Sequence, residues 1–279
     1  MNLSKLNSLK IGGKADSYLE INNPEDLQKI TSPHLIIGKG TNILFSDKGF
    51  RGQIVRLHNQ FFQALNDSIK ASASCNLPSF VINMATMGYD FSDLSWPGTI
   101  GGSVFGNAGT PEADTFSKLL EITYFDLKEK KFHTKKNSEI PNSYRFSDFK
   151  NHRDRLIYEV KFKKPQKKQS KEILNTIKEK AKKRAEIQPK GKNAGSFFKN
   201  PKNNSAGRLI DLAGCKGLSI NDALCSPIHA NFLINQKNAT QADMIELAKI
   251  IKKRVQDKFN IILEPEVQIL DEFGKTINL

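Results

Sequence analysis

The residues with the clearest capacity for chemistry lie in two glycine-rich runs. Trp96–Gly109, WPGTIGGSVFGNAG, holds five glycines in fourteen residues: Gly98, Gly101, Gly102, Gly106 and Gly109. Glycine admits positive φ and leaves no Cβ between main chain and ligand. A loop of this kind can turn its main-chain N–H groups toward an anion such as a pyrophosphate. The competing reading is a glycine-rich surface turn. No Lys or Arg lies in the run, so it is not a P-loop, and its spacing is not the GxGxxG that opens a dinucleotide-binding helix. The second run, Gly38-Lys39-Gly40-Thr41-Asn42, sits between two apolar segments. There the Thr41 hydroxyl and the Asn42 amide could donate to phosphate oxygens, and a plain β-turn is the alternative.

Other polar candidates are scattered. Arg145 in NSYRFSDF reads on its own as a surface arginine, and Ser196 in AGSFFKNP as a turn or cap residue. Glu264 and Glu266 alternate with Leu263, Pro265 and Val267, the pattern of the wet face of an edge strand. His229, just before Asn231-Phe232, reads as a structural, hydrogen-bonded histidine. No HxxE or clustered His/Cys pattern points to a metal.

These residues need a scaffold, and the chain alternates short strands with helices. Strands are expected at Tyr18–Ile21, His34–Ile37, Ile43–Phe45, Gln53–Leu57 and Ile69–Ser74, then at Leu119–Leu127, Lys131–Thr134 and Leu156–Phe162. Two more are expected at His229–Ile234 and Glu266–Leu270. Asn23-Pro24 opens a short helix to Ile30 as N-cap and first-turn proline. Pro78–Met87 reads as a helix with Phe80, Val81, Met84 and Met87 on one side. A long basic helix spans Ser170–Ile187 and marks a domain boundary. A further helix covers Ala206–Ala213, and Thr240 with Asp243 forms a capping box for a strong helix striped with Met244, Leu247, Ile251 and Val255. The Trp96–Gly109 run is read as a loop. The pattern is α+β in two βα-rich lobes.

The chain has 279 residues, enough for two domains, and 38% hydrophobic content suits a globular fold. A mean hydropathy of −0.47 and the lack of a long apolar run argue against a membrane span, and the start shows no signal peptide. The three cysteines, Cys75, Cys215 and Cys225, are widely spaced and read as free thiols in a reducing cytoplasm. The net charge of +14 is concentrated in Lys161–Lys192. It reads as solvated helix faces, with steering of phosphorylated ligands as the functional addition. Nucleic acid is the rival partner for such a charge.

Taken in order, the two glycine runs, YRFS, GSFFKNP and LEPEV resemble the UDP-N-acetylenolpyruvoylglucosamine reductase family, from about Asn7 to the C-terminus. The resemblance implies a two-lobed FAD-binding domain of the vanillyl-alcohol-oxidase (PCMH) type, residues 1–165, with lobes 1–66 and 67–165. A C-terminal α+β substrate domain, 166–279, would follow. The implied reaction reduces the enolpyruvyl ether of UDP-N-acetylglucosamine to UDP-N-acetylmuramate, with NADPH as hydride donor through FAD, in peptidoglycan precursor synthesis. The short stretch between YRFS and GSFFKNP matches the type II form, which lacks an inserted subdomain with a substrate-clamping tyrosine. The resemblance puts the FAD pyrophosphate on Gly38, Lys39, Gly40, Thr41 and Asn42. It puts the rest of the flavin along Pro97, Gly98, Thr99, Gly101, Gly102, Asn107 and Gly109. Ser196 matches the proton donor, with Arg145 and Glu266 assisting; Arg184 and Asn200 match substrate contacts. The chain departs from the family pattern at Lys39 and Thr41, at Ser95-Trp96 before Pro97, and at Asn7-Ser8. The expected enzyme is a cytoplasmic monomer that binds a UDP-sugar, with no nucleic acid, membrane or metal. The rivals are a flavin-linked oxidase on the same scaffold and a non-catalytic basic RNA-binding protein.

The chemistry explains why such residues are wanted. Hydride addition to one carbon of an enol ether leaves enolate-like charge on its neighbour. A guanidinium such as Arg145 can take a carboxylate through parallel N–H donors and stays charged at any working pH. Glu266 could bond the enediolate in its protonated form, which a dry site favours, or through a shared water. Ser196, with Lys199 as candidate neighbour, would supply the proton on the face opposite the flavin. The hydride chemistry belongs to the flavin; the protein contributes position and field.

Overall fold

Several helices in this chain begin where a short polar side chain stands in for a missing main-chain acceptor. The computed structural model describes residues 1–110 and 113–279. Asn23 accepts from Asp26 N and Asp26 answers in a capping box, opening a 3₁₀ turn over Pro24–Lys29. Asn76 caps α1 (Leu77–Thr86) and Thr99 caps α2 (Ile100–Gly106). The basic helix α3 covers Ser170–Ile187 as expected. Ser205 caps α4 (Ala206–Leu212). Thr240 and Asp243 form the expected box at the start of α5 (Gln241–Phe259), which ends on Asn260 in the left-handed region.

The chain divides into two compact units. The first comprises Met1–Ser17, Gly40–Gly52 and Lys182–Leu279; the second comprises Tyr18–Lys39 and Gln53–Ala181. The last division between the units falls inside α3, after Ala181.

The second unit is built on an antiparallel sheet. Its strands run in the order Phe62–Ala64, Ser68–Ser72, Arg155–Lys163, Leu119–Asp126, Lys131–Lys136. Phe80, Val81 and Met84 of α1 and Ile100 and Val104 of α2 are buried in the same core as Ile122, Val160 and Phe162 of the sheet. Met87 does not join them: it lies just past the end of α1 and is 42% exposed. In the same unit His34–Ile36 pairs in parallel with residues 53–55, setting Ile36 opposite Val55.

The first unit carries a four-stranded antiparallel sheet, ordered Lys192–Ser196, Phe232–Asn235, Ala223–Cys225, Ser219–Ile220. The stripe Met244, Leu247, Ile251 and Val255 of α5 is buried with Leu209 and Ile210 of α4, Phe197, Phe198 and Leu233. A short parallel pair, Ile43–Leu44 with Gln268–Ile269, lies in this unit.

Three local expectations are corrected. Trp96–Gly109 is not all loop, because α2 forms within it; Ile100 and Val104, four residues apart, turn one apolar side inward and override the low helix propensity of glycine. The strand expected at His229–Ile234 begins only at Phe232, because Ser226 Oγ accepts from the N–H groups of Ile228 and His229 and rounds the chain into a turn. The strand expected from Glu266 is only Gln268–Ile269, paired to a partner two residues long.

Cys75, Cys215 and Cys225 are buried free thiols. Burial pushes the Cys225 thiol up to about 12. On α3 only Ile173 is buried; Lys180 pairs with Asp93 at 2.9 Å, within the second unit. Such surface pairs contribute little to stability. Among the described residues no helix is long and apolar enough to cross a membrane.

Candidate functional site

The Gly38–Asn42 turn follows strand His34–Ile36 and precedes Ile43–Leu44. Within the second unit Gly38 is pressed against Thr99: a Cβ at Gly38 would lie 2.5 Å from Thr99 Oγ1. The two glycine runs therefore touch, and Gly38 is glycine because Thr99 occupies the space. Lys39 is exposed. Within the first unit Gly40 has φ of 64°, and a Cβ there would meet the Leu6 carbonyl at 2.2 Å. Its own carbonyl accepts from Ser8 N at 3.1 Å. Asn42 Nδ2 donates to the Glu266 carbonyl at 3.1 Å. None of the main-chain N–H groups of Gly38, Lys39, Gly40, Thr41 and Asn42 donates to another described residue. Backbone donors left unpaired in succession suit an anionic oxygen.

In the second run, Pro97 is exposed and Gly98 has φ of 135°. The chain here pairs with the residues before α1: Leu77 N donates to the Gly98 carbonyl and Ile100 N to the Cys75 carbonyl. Thr99 Oγ1 accepts from Gly102 N at 3.1 Å. A Cβ at Gly101 would stand 2.9 Å from Ala73 Cβ, so this glycine serves close packing. Trp96 Nε1 donates to Ser103 Oγ, which shares a 2.6 Å bond with Thr115. Asn107 is 1% exposed and ends α2 in the left-handed region, φ 41°. Its amide donates to Asp114 and the Ser143 carbonyl and its oxygen accepts from Phe116 N, which makes it a bracing residue.

Arg145 sits at the tip of a tight hairpin, Asn142–Ser143 with Phe146–Ser147. Its φ is 57°, a conformation that strains any residue with a Cβ. The hairpin is clasped to the end of α2. Arg145 Nη2 donates to the Gly109 carbonyl at 2.8 Å, and Ser147 Oγ donates to the Phe105 carbonyl at 2.8 Å. Lys150 Nζ donates to the Arg145 carbonyl at 2.7 Å, and the guanidinium carbon lies 4.9 Å from the Tyr144 ring centre. The strained backbone is thus held from both sides.

Ser196, Glu266, Asn200 and Arg184 all belong to the first unit. Ser196 ends strand Lys192–Ser196 opposite Phe232, after a bulge that follows Asn193. Gly195 before it has φ of 76° and open space where a Cβ would go. Past Ser196 the chain runs beside LEPEV. Glu266 N donates to the Phe197 carbonyl at 2.8 Å, and Lys199 N donates to the Glu264 carbonyl at 2.8 Å. Glu264 is exposed and Glu266 half-buried, so the two carboxylates do not share one wet face. Lys199 Nζ is held by Glu264 at 3.1 Å rather than by Ser196. Asn200 Oδ1 accepts from Ala206 N at 3.0 Å, at the start of α4. Arg184, near the end of α3, is half-buried, and burial holds its guanidinium below the ordinary arginine range.

Sequence reasoning passed over Asn231. It is 2% exposed; Oδ1 accepts from Phe198 N at 2.9 Å and Nδ2 donates to the Phe198 carbonyl at 2.8 Å. His229 takes the structural role expected of it: Nδ1 accepts from Asn231 N at 3.3 Å, and the ring lies edge-on to Phe232. Among the described residues no group of three or more His, Cys, Asp and Glu is arranged to hold a metal.

Comparison with known proteins places this arrangement. The family model described as UDP-N-acetylenolpyruvoylglucosamine reductase, C-terminal domain, matches residues 185–270, the stretch holding Ser196 and Glu266. The UDP-N-acetylenolpyruvoylglucosamine reductase of Wolbachia sp. subsp. Drosophila simulans (strain wRi) is 35% identical over 97% of this chain and 94% of its own length. That of Trichlorobacter lovleyi is 33% identical over 95% of this chain and 89% of its own. The crystal structure of the UDP-N-acetylenolpyruvylglucosamine reductase (MurB) from Thermus caldophilus matches with a TM-score of 0.84 at 32% identity, covering 96% of this chain and 97% of that one. The expected α+β architecture is therefore that of the Thermus enzyme.

Proposed function

The chain belongs to the UDP-N-acetylenolpyruvoylglucosamine reductase family, and from that premise we propose that it reduces enolpyruvyl-UDP-N-acetylglucosamine to UDP-N-acetylmuramate for peptidoglycan synthesis. The enzyme is an oxidoreductase with a flavin cofactor; we take the flavin to be FAD and the hydride donor to be NADPH. The observation that carries the reading is the pairing of AGSFFKNP with LEPEV, in which the Glu266 N–H meets the carbonyl next to Ser196.

The residues present fit a flavin dinucleotide. The unpaired N–H groups of Gly38–Asn42 are donors for its pyrophosphate, and Pro97, Gly98, Thr99, Gly101, Gly102 and Gly109 border the rest, braced by Asn107. When bound, the flavin supplies the hydride to the enol ether. The other steps fall to the chain. Arg145 takes the substrate carboxylate and spreads its developing charge. Ser196 gives the proton to the carbon beside the carboxylate. Glu266 stabilises the enediolate, while Asn200 and Arg184 contact the nucleotide-sugar. Residues 1–165 serve the cofactor and 166–279 the substrate. The protein works as a cytoplasmic monomer without nucleic acid, and NADPH and the UDP-sugar react in turn.

The test is direct. Purified protein should be yellow, and NADPH oxidation should require the enolpyruvyl substrate. Oxygen consumption without a UDP-sugar would favour the oxidase. A colourless protein with steeply salt-dependent RNA affinity would favour the RNA-binding reading.

A further inference from the structure

We propose that Asn231 is a positioning residue for the proton-transfer half of the reaction: its carboxamide holds the Phe197–Phe198 backbone so that Ser196 and Glu266 keep register with each other. The inference rests on the functional reading above and adds to it a residue that does not touch substrate.

The argument begins with main-chain accounting. The ladder between Lys192–Ser196 and Phe232–Asn235 ends at Ser196↔Phe232. One further bond follows it, Phe197 N to the Asn231 carbonyl at 2.7 Å. Residues 229–231 then turn away, with Phe232 N bonded to the His229 carbonyl. Phe198 is 1% exposed, so its N–H and C=O would be buried without partners. A backbone group buried without a partner loses the hydrogen bond that water would have given it. The Asn231 side chain supplies both missing partners. A carboxamide carries one acceptor oxygen and two donor hydrogens, so it can continue a ladder where no strand is available.

On its other edge the same segment meets LEPEV. The Phe197 carbonyl accepts from Glu266 N and the Glu264 carbonyl accepts from Lys199 N. Phe197–Lys199 is therefore held between the Asn231 carboxamide and the backbone of Glu264 and Glu266. Ser196 leads into this segment after a bulge and a left-handed glycine, both of which weaken its own ladder. The firm anchor for Ser196 lies on its C-terminal side, where Asn231 acts. His229 Nδ1, accepting from Asn231 N, fixes the residue in turn.

The experiment separates the two half-reactions of the intact flavoenzyme. Flavin bleaching by NADPH is followed first, then anaerobic reoxidation of the reduced flavin by the enolpyruvyl substrate. Asn231→Ala should bleach at the wild-type rate, and its reoxidation should slow by about 10²-fold, the scale of misplacing a reacting group by about 1 Å. The solvent deuterium effect on that step should rise, as proton transfer becomes limiting. Asn231→Asp keeps the shape and the acceptor but loses the donor when ionised. Its reoxidation should recover as pH falls, because a protonated carboxyl can again donate to the Phe198 carbonyl. Equal slowing of both half-reactions, no slowing, or a pH-independent defect in Asn231→Asp would overturn the proposal. Absence of reoxidation by the enolpyruvyl substrate in the wild-type protein overturns the functional reading itself, and this inference with it.

Discussion

The Asn42 carboxamide donates to the main-chain carbonyl of Glu266 at 3.1 Å, across 224 positions of sequence. Gln268 N returns a bond to the Asn42 carbonyl, also at 3.1 Å. A residue of the proposed pyrophosphate turn and the proposed catalytic carboxylate thus share one backbone junction. Asn42→Ala should weaken flavin retention and also slow flavin reoxidation by substrate. If flavin affinity falls while reoxidation of the loaded enzyme stays normal, the junction does not serve the chemistry.

Ser196→Ala should leave NADPH bleaching of the flavin intact and slow substrate-dependent turnover by at least about 10²-fold, the usual scale of general acid catalysis. Normal turnover in a steady-state assay would remove Ser196 as proton donor.

Arg145 offers a comparison between two variants. Both Arg145→Ala and Arg145→Gly lose the guanidinium, and each should lose on the order of 10²-fold in kcat. Only glycine relieves the φ of 57°. Urea melts should show the glycine variant about 1 kcal/mol more stable than the alanine variant. Equal stabilities would mean that the left-handed backbone stores no strain.

At Gly38 the expected effect is steric. Gly38→Ala places a methyl 2.5 Å from Thr99 Oγ1, which should destabilise the protein by about 1–3 kcal/mol. Adding Thr99→Ala removes the obstructing group, though it also removes the cap on Gly102 N. The double variant should therefore be more stable than the sum of the single losses implies. Strict additivity in thermal melts would show that the two glycine runs do not press together.

His229 sets a pH dependence. Burial holds its imidazole below the ordinary 6.5, and Nδ1 must stay unprotonated to accept from Asn231 N. The unfolded chain therefore takes up this proton first. The stability contribution is present above pH 6.5 and declines as pH falls below it, by at most about 1.4 kcal/mol per pH unit. Burial shifts His34 in the same direction. Denaturant midpoints between pH 7.5 and 5.5 should fall less in His229→Gln than in the wild type; parallel curves would count against the assignment.

What could be read from the sequence was whatever is decided within one turn of chain. Asn23 with Pro24 and Thr240 with Asp243 announced their helices, and Ser170–Ile187 was bounded correctly. The motif residues were legible as a set through family resemblance. Less visible was anything settled by distant partners. Gly101 and Gly102 suggested a loop, but Ala73 against Gly101 and the burial of Ile100 and Val104 make a helix there. Lys199 looked like a neighbour for Ser196 until Glu264 claimed it. Asn231 gave no signal because its partners are the main chain of Phe198, and backbone groups are the same in every sequence.

The interleaved order of the two units has a consequence for biosynthesis. The second unit ends at Ala181, so all of it has been translated while most of the first is still to come. Met1–Ser17 and Gly40–Gly52 must wait for Lys182–Leu279 before Leu9, Ile11 and Leu44 find their core. Nascent chains halted after α3 should accordingly protect the sheet around Val160 from protease while leaving the N-terminal segment open to cleavage.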